Sequence, residues 1–215
     1  EEAFRPLIGR SPEVDTKFRN DVQKLFINRY NNSFGKSLRP DAFLLKAVIE
    51  ERISRLLDFE STRPVKELLH IESAFEDDIE LSCGRVKCVY RVDRVDLMQD
   101  GTVMVLDYKT GGSDILPKGP EEIRRLEFSR ESISREVRSF QLPLYMCYLK
   151  KQFPGRPLNA GLYNVRKPEI KTFFKGSGAE ELNQHLEPYM KALDYIMAEI
   201  FNPDVPFIEN DTQAR

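Results

Sequence analysis

A chain of 215 residues, 40% hydrophobic and 32% charged, has the composition of an ordinary globular protein of one domain with a helical appendage. Its formal net charge of −2 excludes a protein that coats nucleic acid by bulk positive charge, so any such partner must be held by a local patch. No apolar run approaches the roughly 18 residues of a membrane span and no charged-then-apolar segment opens the chain; a cytoplasmic, intracellular protein with no membrane partner is expected. The three cysteines, Cys83, Cys88 and Cys147, have neither an even count nor metal-site spacing. They imply a reducing compartment, without disulfides or a cysteine metal site. The first residues, Glu1 and Glu2, suggest a piece of a longer polypeptide.

Two helical patterns come first. Val14, Phe18, Val22, Leu25 and Phe26 recur at helical spacing, as do Leu44, Leu45, Val48, Ile49, Ile53, Leu56 and Leu57. Asp41 after Pro40 reads as the N-cap of the second helix, and Asn31 to Pro40 as the loop between the two. From Pro64 the text turns strand-like: "VKELLHIESAFEDDIEL", then "GRVKCVYRVDRVDLMQDGTVMVLDYKTG", where β-branched residues alternate with polar ones around an Asp-Gly turn. Gly111 to Ser139 is polar and too long for a tight connection, so it reads as an ordered excursion or a mobile flap. A helix over "SFQLPLYMCYLKKQF", short strands near "NAGLYNV" and "EIKTFF", and an amphipathic helix from Ala179 to Phe201, with Pro188 as a kink, complete the chain. The order predicts an α/β layer arrangement, with residues 1–63 as an N-terminal helical segment packed on a core of residues 64–215.

Chemistry concentrates at the end of "VMVLDYKTG". Strand side chains alternate, so Val103, Val105, Asp107 and Lys109 share one face, apolar at its start and ionised at its end. Buried charges of this kind need partners such as a metal ion or an anion. A three-residue loop at "QDG", closed by Gly101 in the left-handed conformation, places Met98 opposite Thr102 and Asp93 opposite Asp107. A two-residue loop turns Asp96 to that face instead, because a one-residue slip flips every side chain. The three-residue register, hence Asp93, is the expectation. Two facing carboxylates repel unless a cation lies between them, and Mg²⁺ commonly uses one or two carboxylates with waters and substrate phosphate. Lys109 beside such an ion would stabilise charge on a pentavalent phosphorus or help deprotonate a water.

These residues resemble a family. "YRVDRVDL", a turn, "VMVLDYKTG" and then "QLPLYMCYL" are similar to the RecB-type branch of the PD-(D/E)XK nucleases, which includes AddB-type and CRISPR-associated exonucleases. The resemblance runs from about Glu67 to Tyr148. It implies a restriction-endonuclease-like fold, α/β with a central mixed sheet flanked by helices. It matches Asp93 and Asp107 to metal-binding acids, Lys109 to the catalytic lysine, the Tyr108 carbonyl to a further metal ligand, and Gln141 with Tyr145 to a pair that supports the site and contacts DNA. The implied cofactor is Mg²⁺ or Mn²⁺ and the implied partner is DNA, with a helicase domain or subunit in the larger recombination or repair protein. Tyr90 stands where the family has glycine, neither His70 nor His185 matches its upstream histidine, and the cysteines that hold an iron–sulfur cluster in some relatives are absent, so no cluster is expected.

Alternatives stand beside each assignment. Glu72 in "HIESAFE" shares a strand face with His70 and adds a third acid to the site or serves at the surface; His70 as a ligand is the lesser reading. Asp96 is expected as a structural partner of Arg94 or Arg91 in preference to a metal ligand. Gln141 and Tyr145 are alternatively the polar edge of a packed helix. The arginines 124, 125, 130, 135 and 138 form a solvated mixed-charge face, or contact phosphates if their segment covers the site. The competing function is a catalytically weak or silent nuclease fold serving as a DNA-binding or assembly module.

Overall fold

The structure is a computed structural model that describes residues 1–34, 40–111, 115–176 and 178–207. After a single 3-10 turn at Arg5–Leu7, the chain forms α1 (Thr16–Phe34), α2 (Pro40–Thr62), β1 (Val65–Leu81), β2 (Gly84–Met98) and β3 (Val103–Lys109). It continues through α3 (Pro120–Ile123), α4 (Arg130–Glu136), α5 (Gln141–Gln152), β4 (Leu158–Asn164), β5 (Glu169–Thr172) and α6 (Ala179–Ile200). The five strands lie in the order β1-β2-β3-β4-β5. Only the β3–β4 pair is parallel, which makes the sheet mixed.

Two corrections concern element ends. Helix α2 begins at Pro40, so Asp41 lies within its first turn instead of capping it; proline is well placed at a first helical position, where its missing N–H has no partner to lose. Helix α1 runs on to Phe34, four residues into the expected loop, and the rest of that loop up to residue 39 lies outside the described residues.

Each face of the sheet has its own apolar layer. On one, Val95, Leu97, Val103, Val105, Ala160 and Leu162 pack against Leu142, Met146 and Leu149 of α5 and Leu182, Leu186 and Tyr189 of α6. On the other, Leu68 and Ile71 of β1 pack with Phe4 and with Leu57 of α2, and Val14, Phe18 and Val22 close over them. The polar excursion after β3 is tied into the first layer by Ile123, Leu126, Ile133 and Val137, all buried. It is therefore ordered beyond the residues 112–114 that fall outside the described set.

The hairpin between β2 and β3 takes the three-residue form. Met98 N–H bonds Thr102 O at 2.8 Å and Gly101 N–H bonds Met98 O at 3.0 Å. Gly101 has φ +88°, a conformation that a residue with a Cβ adopts only at a cost. Arg94 accordingly pairs with Leu106 and Asp96 with Met104.

Candidate active site

Asp107 and Lys109 emerge at the end of β3 on the face that α5 covers. By the alternation of an antiparallel ladder, the next exchanging pair after Arg94–Leu106 would be Val92–Tyr108. The ladder stops short of it: the Tyr108 N–H donates instead to Asp93 Oδ2 at 2.6 Å. Asp93 therefore stands in the gap where β2 parts from β3.

The neighbouring pair explains the parting. Ile71 pairs with Arg94 and Ser73 with Val92, so Glu72 sits across from Asp93. Glu72 has φ +46°, in the left-handed region. At this point both strands exchange their faces. Tyr90 and Val92 before it, and Val95 and Leu97 after it, all join the same apolar layer, which strict alternation forbids. A strained residue at such a bend is a recognised mark of a functional position.

Helix α5 supplies the support. Gln141 Nε2 donates to Asp107 Oδ1 at 2.6 Å and to the Tyr145 hydroxyl at 3.0 Å. Tyr145 in turn donates to the Arg91 carbonyl of β2 at 2.5 Å. Four residues apart, the pair shares a helix face, and the chain of bonds ties α5, β3 and β2 together. Tyr145 is buried in the core, where its hydroxyl takes the second Gln141 bond, and the Gln141 amide fixes one oxygen of Asp107.

The other oxygen is different. Asp107 Oδ2 is buried and has no hydrogen-bond partner. Lys109 Nζ lies 2.5 Å from it as an ion pair, without the alignment of a hydrogen bond. Burial raises the Asp93 carboxyl above its ordinary value; the Tyr108 N–H draws it back, and the charges of Asp107 and Glu72 raise it further against Lys109. Glu1 joins the cluster, which no sequence signal foretold. Partial desolvation raises its carboxyl, the chain's amino terminus lowers it, and Glu72 raises it by charge and by a hydrogen bond.

Asp96 and His70 lie elsewhere. Asp96 is on the opposite face, fully buried, where Arg94 Nε donates to it at 2.7 Å and Arg63 at 2.6 Å. Arg94 also donates to Glu60 at 3.0 Å. Arg94 was foreseen as a partner of Asp96, whereas Glu60 and Arg63 of the N-terminal segment were not. His70, on β1 opposite Val95, packs edge-on to Phe75 with centroids 5.0 Å apart. Burial lowers its pKa. His185 is buried against Phe173, Phe174 and Tyr189.

The sequence profile of the PD-(D/E)XK nuclease superfamily matches residues 8–213. The chain belongs to the PD-(D/E)XK nuclease superfamily. Its mixed five-stranded sheet between helices is the restriction-endonuclease-like arrangement. No curated protein matches the chain. A solved structure titled "Crystal structure of SSO0001" aligns with it at 11% identity, over 83% of this chain and 81% of that one, with a TM-score of 0.33. Among the described residues no helix is long and apolar enough to cross a membrane.

PD-(D/E)XK nucleases generally use divalent metals such as Mg²⁺ or Mn²⁺. The donor set of this member fits such an ion: hard carboxylate oxygens, one of them buried and orphaned, crowd together with a single lysine against them. No three His, Cys, Asp or Glu side chains among the described residues form a ready-made cage.

Proposed function

We propose that this protein is a Mg²⁺- or Mn²⁺-dependent deoxyribonuclease domain of the RecB-like branch, an exonuclease that works in recombination or repair beside a helicase domain or subunit. The N-terminal helical segment of residues 1–63 braces a nuclease core of residues 64–215. Asp93, Asp107 and the Tyr108 carbonyl would hold the ion, with Glu72 as an added carboxylate. When bound, the ion polarises a phosphoryl oxygen and makes water a better nucleophile at neutral pH.

The chain's own groups perform the rest. Gln141, held by Tyr145, keeps one Asp107 oxygen fixed and leaves the other, buried beside Lys109, free of hydrogen bonds. The Tyr108 N–H orients Asp93. Lys109 neutralises charge that develops on phosphorus and lies within reach to assist deprotonation of the attacking water. The observation that carries this reading is the buried Asp107 Oδ2, which has no hydrogen bond and meets only the Lys109 ammonium.

The test is cleavage of single- and double-stranded DNA with Mg²⁺ or Mn²⁺. Asp107→Ala is expected to lose roughly 10³-fold in rate, the equivalent of several kcal/mol of transition-state stabilisation. Equal cleavage by that variant would refute the assignment. A second reading, a silent DNA-binding or assembly module, draws on the same ion pair, since Lys109 already neutralises the Asp107 oxygen that an ion would need. DNA binding without cleavage in any divalent metal would favour it.

A further inference from the structure

The five arginines of the excursion separate when their partners are traced. Arg124 donates to Gln184 at 3.2 Å, Arg130 to Glu199 at 2.7 Å, and Arg135 to Glu136 at 2.6 Å. Each is committed to a neighbour on α4 or α6. Arg125 and Arg138 are exposed and have no hydrogen bond or ion pair among the described residues. Arg138 alone of the five borders the site: with Lys109, Ile115 and Ser139 it lines an open cavity of about 600 Å³.

The backbone delivers Arg138 to that cavity deliberately. Its φ is +60°, and the Ser139 N–H bonds Val137 O across it at 2.6 Å, a tight three-residue turn of the rare, strained hand. Three residues later Gln141 opens α5 and grips Asp107, so one turn sets both side chains. Ser139 Oγ accepts the Gln141 N–H at 3.2 Å, which leaves its own proton to donate. Arg138 also borders a cavity of about 360 Å³ between α4 and α6. There the charged rim is already paired, Arg130 with Glu199, and the rest is mainly apolar. On the Lys109 side Lys109 is held by Asp107, and Arg138 is the cation without an ion pair among the described residues.

We propose that Arg138 grips a backbone phosphate of the DNA strand next to the one being cut, with the Ser139 hydroxyl as a second donor. A planar guanidinium fork meets two phosphate oxygens at once, and the cavity falls within the usual range for a ligand of nucleotide size. With an overall charge of −2, affinity for a polyanion must come from local cations of this kind. Arg138 is thus a substrate-positioning residue, and its assignment rests on the nuclease reading above.

The experiment measures oligonucleotide binding across a salt series, and steady-state cleavage, for wild type, Arg138→Ala, Arg138→Lys and Arg125→Ala. Arg138→Ala is expected to raise KM about tenfold with kcat within about twofold, and to flatten the salt slope by about one unit. Arg138→Lys restores the slope but only part of the affinity, because the fork is gone. Arg125→Ala behaves as wild type. Cleavage by wild type with an unchanged KM and salt slope in Arg138→Ala overturns this assignment alone. A wild type that neither binds nor cuts DNA overturns the nuclease reading and this assignment with it.

Discussion

The two faces of β3 bury charge in opposite ways. On the side of α2, Glu60 and Asp96 meet Arg63 and Arg94, two acids against two guanidiniums, with the four side chains at most 5% exposed. On the side of α5, Asp107 pairs with Lys109, Asp93 feels the negative charges of Asp107 and Glu72 against that single lysine, and one buried oxygen of Asp107 lacks a hydrogen bond. The first set balances its charges, although Arg94 Nη2 is buried without a hydrogen bond, and it joins the N-terminal segment to the sheet. The second carries excess negative charge that a divalent cation would neutralise. Burial alone does not mark a site; an unbalanced charge does.

Breaking the balanced side should give the largest effect on stability. Arg94→Met leaves Asp96 and Glu60 with Arg63 alone, one buried acid uncompensated, and roughly 3–5 kcal/mol of unfolding free energy should be lost in urea titrations. A loss below about 1 kcal/mol would show that this face is not the brace described here.

An acid-sensitive element lies in the helical layer beneath the opposite face. Burial, then the charge of Arg124, lowers the His185 pKa from 6.5 to about 4, so the folded protein keeps the ring neutral while the unfolded chain takes up a proton. Stability is therefore fully present above pH 6.5 and is lost as the pH falls towards about 4, by up to roughly 3 kcal/mol. In His185→Leu that part of the acid slope should vanish from thermal melts. An identical slope in the two proteins would exclude His185 as its source.

Smaller changes sharpen the unbalanced side. Gln141→Ala frees Asp107 Oδ1 and is expected to reduce kcat by about 10–100-fold with little change in unfolding free energy, as for other groups that orient a ligand. If stability falls instead and kcat is kept, the helix pair is packing only. Asp93→Asn should slightly stabilise the protein in EDTA at neutral pH. The Asp93 carboxyl is raised, so its ionised form costs folding energy above that raised value, and the cost is relieved as pH falls and the folded state binds the proton. The gain over wild type should thus shrink on acidification; a gain that grows would reverse the sign of the shift.

The contrast also separates what was legible in the amino-acid sequence from what was not. Valines alternating with polar residues around an Asp-Gly turn announced β2, β3 and their register, because period-two patterning and turn chemistry are local. Asp107 and Lys109 stood out for the same reason, and the Gln141/Tyr145 pair through the family resemblance. Glu60 and Arg63 were not recognised as partners of Arg94 and Asp96, since ion pairs across more than 30 residues leave no periodic trace. Neither was the exchange of faces at Glu72, a backbone feature that its side chain does not encode. In the excursion, Ile123, Leu126, Ile133 and Val137 are too sparse among charged residues to reveal that they reach the core.

The central claim is that the acidic side of β3 holds a divalent cation. Calorimetric titration of Mn²⁺ into wild type and Asp107→Ala tests it most directly. The account predicts saturable binding by wild type and its loss in the variant, with the variant still folded. Binding of equal affinity in both, or none in either, would contradict it.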